Sequence, residues 1–246
     1  MADSDGHPAA RRPQDRRIQA ERPDPSAGVY ETVRVRDGRI QALDAHLERL
    51  ADSVAELYGS PLTDEPRRLL RQRAAALHGE HRIRIDAVPS DGTLRFELVT
   101  SELAASAREP VGLTPVLVPG GLGAHKWCDR RLVDRLGSDP VPLLVDTDDS
   151  VLEGAWGNVW VLAGEDLVTP PADGRILPGV TRAALLELAP RLGLRAREEP
   201  IGLAGVERAG VMFLTSSLRL AVTAAVGSPP AEALPIARIR NALALF

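Results

Sequence analysis

The chain has 246 residues, 44% of them hydrophobic and 26% charged, and a formal net charge of -4 at pH 7. This composition is typical of a globular protein that buries a sizeable core, and the small negative charge argues against nucleic acid as a partner. The single cysteine, Cys128, excludes an intrachain disulfide and a cysteine-cluster metal site, and it suits a reducing compartment, the cytoplasm by default.

The N-terminal part begins with a segment that is poor in large apolar residues. Residues 1–25 mix Arg, Asp and Pro, and we expect a disordered tail because such a segment cannot offset its loss of entropy. "VYETVRV" at 29–35 alternates with period two and predicts a strand. The segment 43–59 has helical periodicity and predicts a helix closed by Gly59, with Arg49 on the shoulder of its apolar arc.

The following elements complete a first unit. A second amphipathic helix is predicted at 64–78, followed by two strands at 82–88 and 94–100 that a turn joins. Pro and Gly interrupt the pattern at 108–112, which indicates a linker. We therefore predict a small α/β domain over residues 26–110.

The rest of the chain, residues 113–246, is predicted to be a larger, β-rich domain. One clear helix is expected at 179–193, and Pro190 should kink it or end it early. Six short strands are predicted at 113–119, 141–147, 158–164, 166–170, 211–217 and 220–227. The predicted fold class is thus α/β (α+β). The sequence has no run of about 18 apolar residues that would predict a membrane span, and its N-terminus lacks the apolar core of a signal peptide.

The sequence "GAHKWCDRR" contains Lys126, which is the only lysine beside 29 arginines. Arginine replaces lysine as a surface charge but not as a nucleophile, because the guanidinium stays protonated. One lysine can also persist by chance, and the glycine-rich approach to it is not a phosphate loop. Cys128 and Trp127 are more simply explained as packing residues.

Further motifs occur in a fixed order around this lysine. "HLERL" at 46–50 precedes it, and E-x-x-x-x-N-V from Glu153, "LPGVTR" at 177–182 and "TSS" at 215–217 follow it. Together with Lys126 this series resembles the class IV aminotransferase family, the pyridoxal 5'-phosphate (PLP) enzymes of fold type IV. The resemblance covers residues 28 to about 227. It implies a two-domain fold, PLP as cofactor and a homodimer.

The resemblance also implies roles for individual residues. Lys126 would bond to the cofactor aldehyde and move protons, and Glu153 would face the pyridine nitrogen, with Asn158 ordering the adjacent loop. A helix start suits an anion because its backbone N–H groups are free, and the resemblance implies that it binds the phosphate. The implied phosphate-binding residues are Arg49, Val180, Thr181, Ser216 and Ser217. By residue type alone, Glu153 could instead be a surface residue, and Arg49 a solvated one.

Within the family, the segment around the lysine looks most like aminodeoxychorismate lyase. That branch has a K-x-x-[ND]-R pattern, met here by Lys126, Asp129 and Arg130. The implied reaction converts 4-amino-4-deoxychorismate to 4-aminobenzoate and pyruvate. The alternative is an aminotransferase acting on a D-amino acid or a branched-chain amino acid with a 2-oxo acid acceptor.

The substrate end of the site is left open by the sequence. The chain departs from the family in lacking the usual D-x-G turn before the first strand and the Pro-Val after the last motif. Arg82, Arg84 and Arg130 are candidates for binding a substrate carboxylate, although each could pair with a surface acid instead. A third interpretation is a non-catalytic protein of the same fold that binds a small molecule. No metal is expected.

Overall fold

The computed structural model describes residues 22–104, 108–207 and 210–245. Residues 1–21 of the predicted tail therefore lie outside the described residues. Residues 22–25 lead into a short 3-10 turn, Pro25–Ala27, whose Pro25 carbonyl accepts a hydrogen bond from the Tyr58 hydroxyl at 2.9 Å. The tail boundary at residue 25 and the division into two domains at 110 and 113 stay predictions.

The first sheet has four antiparallel strands in the order β2-β1-β3-β4. Its elements are β1 (Val29–Arg36), β2 (Arg39–Ile40), α1 (Leu43–Tyr58), α2 (Glu65–Ala74), β3 (Glu80–Ser90) and β4 (Thr93–Glu102). The alternation of β1 sends Val33 and Val35 into a core with Leu47 of α1 and Leu70 of α2. As predicted, α1 is closed by Gly59, which adopts the left-handed conformation with φ 64°.

The second sheet has nine strands in the order β10-β9-β8-β12-β13-β5-β6-β7-β11. Its strands are β5 (Val111–Leu117), β6 (Val141–Val145), β7 (Ser150–Gly154), β8 (Gly157–Ala163), β9 (Asp166–Thr169), β10 (Arg195–Glu198), β11 (Ile201–Gly202), β12 (Val211–Ser216) and β13 (Leu220–Val226). Four helices accompany them, α3 (Arg131–Leu136), α4 (Val180–Leu188), α5 (Leu203–Glu207) and α6 (Leu234–Leu243).

A further pairing closes part of this sheet into a barrel. The start of β8 pairs with β7, so that β5, β6, β7, β8, β12 and β13 form a ring, while the end of β8 pairs with β9. Successive residues of β8 serve two cores, because strand side chains alternate between faces. Val159 packs with the residues of neighbouring strands, whereas Trp160 packs with α4 and α6 and stacks on Phe213.

The main differences from the predicted elements concern short or polar segments. The helix predicted at 179–193 is α-helical only to Leu188, and Pro190 lies in the 3-10 turn Ala189–Leu192, as its ring and missing N–H require. Strands β2, β7, β10 and β11 and helices α3, α5 and α6 were not predicted. Within the described ranges, no helix is long and apolar enough to cross a membrane.

Candidate active site

One cavity is lined by residues from both sheets and encloses about 780 Å³ of empty space, including its open mouth. The structure brings every residue that the sequence predicts to bind the cofactor to its wall. These residues are Arg49, Lys126, Glu153, Val180, Thr181, Ser216 and Ser217.

Lys126 lies in the connection between β5 and α3, where backbone hydrogen bonds attach it to the start of β1. Its carbonyl accepts from the amide of Tyr30 at 2.8 Å, and the amide of Cys128 donates to the carbonyl of Gly28 at 3.0 Å. The amine Nζ lies 4.8 Å from the centroid of the Tyr30 ring. The lysine is thus held at the edge of β1 with its amine at the cavity.

Glu153 is buried on the wall formed by β7 and β8, where it is opposite Asn158 in the strand register. Both carboxyl oxygens lie 3.4 Å from the amide nitrogen of Leu177, whose carbonyl accepts from Asn158 Nδ2 at 2.9 Å. Burial raises the pKa of Glu153 to about 8, against the opposing effects of the Leu177 N–H and the charges of Lys126 and Arg49. The carboxyl is therefore protonated at neutral pH without a bound cation.

The first turn of α4 forms one end of the cavity. Gly179 is the N-cap residue, with an extended backbone and no side-chain cap, so the amides of Val180 and Thr181 have no capping partner. The hydroxyl of Thr181 lies 3.5 Å from that of Ser217. A Cβ at Gly179 would lie 2.0 Å from Asn158 Oδ1, so only glycine fits this close approach. Free amides and hydroxyls gathered at one place are groups that suit an anion.

Arg49 is held at this end by a buried carboxylate that the sequence analysis missed. Its Nε and Nη2 donate to the two oxygens of Glu31 at 2.7 and 2.8 Å, and its Nη1 donates to the carbonyl of Pro178 at 3.0 Å. His46 Nδ1 lies 2.8 Å from the same carboxylate. Burial opposes ionisation, but the charge of Arg49 and the bond to His46 hold the pKa of Glu31 well below its usual range.

A signal for this network was present in the sequence. Glu31 occupies the inward-facing register of β1, shared with Val29 and Val33, and an acid on an apolar strand face requires a partner. His46 and Arg49 are three residues apart on α1, which places them on one face of the helix.

The three arginines considered for a substrate carboxylate have different surroundings. Arg84 donates to both oxygens of Asp86, at 2.5 and 3.1 Å, and stacks over the Tyr30 ring. Arg82 is exposed and donates to a serine hydroxyl on β4. Only Arg130 among the three lines the cavity.

These features define a class of protein. The cavity has one primary amine, a buried carboxyl on the wall and a helix start with free amides, and among the described residues no cluster could hold a metal ion. PLP has a reactive aldehyde, a basic ring nitrogen and a phosphate, so its three groups match these three features.

Comparison with known families identifies the chain. The model of the family "Amino-transferase class IV" matches residues 28–111 and 125–225. The chain therefore belongs to the class IV aminotransferase family and is a PLP-dependent enzyme. This confirms the family, the α/β (α+β) fold class and the cofactor predicted from the sequence.

Relatives and solved structures agree with this assignment. A putative branched-chain-amino-acid aminotransferase of Methanocaldococcus jannaschii is 26% identical over 77% of this chain and 75% of its own. A D-alanine aminotransferase of Listeria monocytogenes is 25% identical over 77% and 74%. Two structures share the fold. A hypothetical aminotransferase from Mycobacterium tuberculosis in PLP-bound form has a TM-score of 0.77, 24% identity, and coverage of 89% and 87%. A putative 4-amino-4-deoxychorismate lyase from Legionella pneumophila has a TM-score of 0.75, 22% identity, and coverage of 89% and 91%.

Proposed function

We propose that the chain is an aminodeoxychorismate lyase, which converts 4-amino-4-deoxychorismate to 4-aminobenzoate and pyruvate. The observation that carries this proposal is the segment after the lysine. Lys126, Asp129 and Arg130, which form the K-x-x-[ND]-R pattern, all line the cavity. The fold likeness to a putative enzyme of this name is consistent with it.

Lys126 is proposed as the residue that bonds to the cofactor and then acts as acid and base. Bound PLP supplies an aldehyde that condenses with amines and a ring that withdraws electrons from the adjacent carbon. The Lys126 amine would remove the proton from the ring carbon that carries the amino group, and the bond between the neighbouring ring carbon and the enolpyruvyl oxygen would break. The proton would then be returned to the methylene carbon of the released enolpyruvate, which becomes pyruvate. Substrate atoms are thereby divided between 4-aminobenzoate and pyruvate without an oxidant or an acceptor.

The remaining residues hold and polarise the cofactor in this proposal. Glu153 would lie against the pyridine nitrogen of bound PLP, where a carboxylate keeps the ring protonated and therefore electron-withdrawing. The phosphate would be bound by Arg49, Val180, Thr181, Ser216 and Ser217. Arg49 is suited to this role because Glu31 fixes its orientation.

The test is to supply enzymatically made aminodeoxychorismate to the PLP-loaded protein with no amino acid present. Equal amounts of 4-aminobenzoate and pyruvate are expected. A K126A variant is the control and should form neither product. Well-folded, PLP-loaded wild-type protein that forms no 4-aminobenzoate would contradict the lyase proposal.

A second candidate function is amino-group transfer from a D-amino acid or branched-chain amino acid to a 2-oxo acid. The names of the relatives favour it, since they are branched-chain and D-alanine aminotransferases. A transferase needs an acceptor and converts PLP to its amine form, which a lyase does not. Incubation with D-alanine or leucine alone, followed by absorption spectroscopy, separates the two functions.

We further propose that the protein forms a homodimer and acts in the cytoplasm. The family resemblance supports the dimer, and the single cysteine suits a reducing compartment. Light scattering of the purified protein tests the dimer, with about twice the 26.4 kDa chain mass expected. Cell fractionation tests the location.

A further inference from the structure

We propose that Asp129 is a positioning residue that holds the N-terminal segment, residues 22–28, beside the connection that carries Lys126. In this position Pro23 closes one side of the active-site cavity, so that compact reagents and substrates reach the Lys126 amine and bulky ones do not. The inference goes beyond the proposed function because it concerns access to the amine. It therefore applies to the lyase and to the transferase alike.

The N-terminal segment runs beside the residues around the lysine. An antiparallel bridge joins Val29, where the segment enters β1, to Trp127. Beyond this bridge the amide of Asp24 donates a hydrogen bond to Asp129 Oδ2 at 2.9 Å. The short run 126–129 thus carries both the reactive amine and the anchor of the N-terminal segment.

Asp129 is a fixed and charged anchor. Its side chain is 8% exposed, and it accepts from the amide of Arg131 at 3.2 Å and from the guanidinium of the same residue at 2.7 Å. The hydrogen bonds from the Arg131 side chain and from the Asp24 N–H hold the pKa of Asp129 well below its usual range, so the carboxylate is ionised at neutral pH. Since hydrogen bonds to an ionised acceptor are about twice as strong as neutral ones, the Asp24 N–H has a strong partner.

The wall that this segment completes separates two cavities. The active-site cavity adjoins a neighbouring cavity that is also lined by Arg22, Pro25 and Glu56. Five residues line both cavities, so the wall between them is one side chain thick at these positions. These residues are Pro23, Leu122, His125, Trp127 and Leu132.

The other residues of this wall are held by contacts of their own. The indole Nε1 of Trp127 donates to the carbonyl of Leu122 at 2.9 Å, and His125 Nδ1 lies 3.1 Å from Ser53 Oγ. Leu132 is buried in α3. These contacts do not involve the N-terminal segment, so they persist when the segment moves.

Pro23 cannot donate a backbone hydrogen bond, because proline lacks an N–H. Its position depends on the two residues that follow it, Asp24 with its bond to Asp129 and Pro25, whose carbonyl accepts from the Tyr58 hydroxyl at 2.9 Å. Pro23 is half-buried, whereas Asp24 and Pro25 are exposed, so the segment turns this one side chain toward the wall. Loss of the Asp24 bond should therefore open the wall at Pro23.

The experiment uses the single lysine as a probe in the PLP-free protein. The protein is treated with a small ester, succinimidyl acetate, or a bulky one, carboxyfluorescein succinimidyl ester, and adducts on Lys126 and on the N-terminal amine are quantified by mass spectrometry. The ratio of bulky to small labelling measures access, because both esters react with the same deprotonated amine. In the wild type this ratio should be much lower at Lys126 than at the N-terminal amine.

Two substitutions at Asp24 isolate the proposed bond. The backbone of Asp24 has φ -79°, which proline also adopts, so D24P removes the N–H and D24A keeps it, while both lose the same carboxylate. D24P should raise the ratio at Lys126 by roughly tenfold or more relative to D24A, because a hydrogen bond to a charged group is lost. D24A should match the wild type. Y58F loses a bond between neutral groups and should raise the ratio by roughly fivefold.

Circular dichroism checks that each variant is folded. Equal ratios at Lys126 in folded D24P and D24A would overturn the proposal, as would a wild-type ratio that is the same at Lys126 and at the N-terminal amine. Y58F tests the segment independently of Asp24, and an unchanged ratio in this variant would also contradict the proposal. The labelling needs neither cofactor nor substrate, so a D24P effect in a protein that makes no 4-aminobenzoate would overturn only the lyase function.

Discussion

The buried carboxyl of Glu153 should make the PLP-free protein lose stability as the pH rises. Burial raises the pKa of Glu153 from an ordinary 4.5 to about 8, so the unfolded chain ionises at a pH where the folded chain does not. The contribution to stability is complete below pH 4.5 and is lost progressively up to pH 8. Each pH unit in this window corresponds to ~1.4 kcal/mol, so on the order of 3 kcal/mol is lost by pH 7 and roughly 5 by pH 8.

The substitution Glu153→Gln isolates this effect, because glutamine has the same shape and does not ionise. Urea unfolding of both PLP-free proteins at pH 5, 6, 7 and 8 gives the difference between their free energies of unfolding. This difference should shift by ~1.4 kcal/mol per pH unit in favour of the variant. Glu48→Gln on the exposed face of α1 is the control and should show no such shift. A difference for Glu153→Gln that stays constant from pH 5 to 8 would refute the reasoning.

Two further substitutions test the anion-binding end of the cavity. Glu31→Gln breaks the buried pair with Arg49 and should lower the free energy of unfolding, measured with urea at pH 7, by ~3–5 kcal/mol. This cost should decrease as the pH falls toward the lowered pKa of Glu31, because the wild type also loses the pair there. An equal cost at pH 7 and pH 3 would contradict this. Gly179→Ala places a Cβ 2.0 Å from Asn158 Oδ1 and should weaken PLP binding by at least ~10-fold, measured by fluorescence titration. Gly202→Ala has open space at its Cβ and should bind PLP like the wild type.

Secondary structure was predictable where the apolar pattern alone decides it. The helix at 43–59 was found because one arc of it is apolar and Gly59 ends it, and the structure has it at Leu43–Tyr58. Strand β10, with the sequence "RARE", was missed because a strand at the sheet edge buries little and needs no apolar alternation. Strand β7 was missed because it is short and carries Glu153.

The residues that line the site were predictable from the sequence, but the residues that hold them in position were not. Lys126 stood out as the only lysine and Glu153 through its place in the family motifs. Nothing in the local sequence shows that the two residues share a cavity. The network of Glu31 and His46 has no such motif, because its ion pair depends on the packing of α1 against β1. The sequence left Arg82, Arg84 and Arg130 as equal candidates for a substrate carboxylate, and only the structure places Arg130 alone of the three at the cavity.

The most direct test of the account is the site at which PLP attaches. The chain offers two primary amines, the N-terminal amine and Lys126. The PLP-loaded protein is treated with borohydride, digested and mapped by mass spectrometry, with K126R as a control that keeps the charge. We expect one reduced PLP adduct, on the peptide that contains Lys126, and none in the variant. Attachment at the N-terminal amine alone, or the absence of any adduct in folded wild-type protein, would contradict the account.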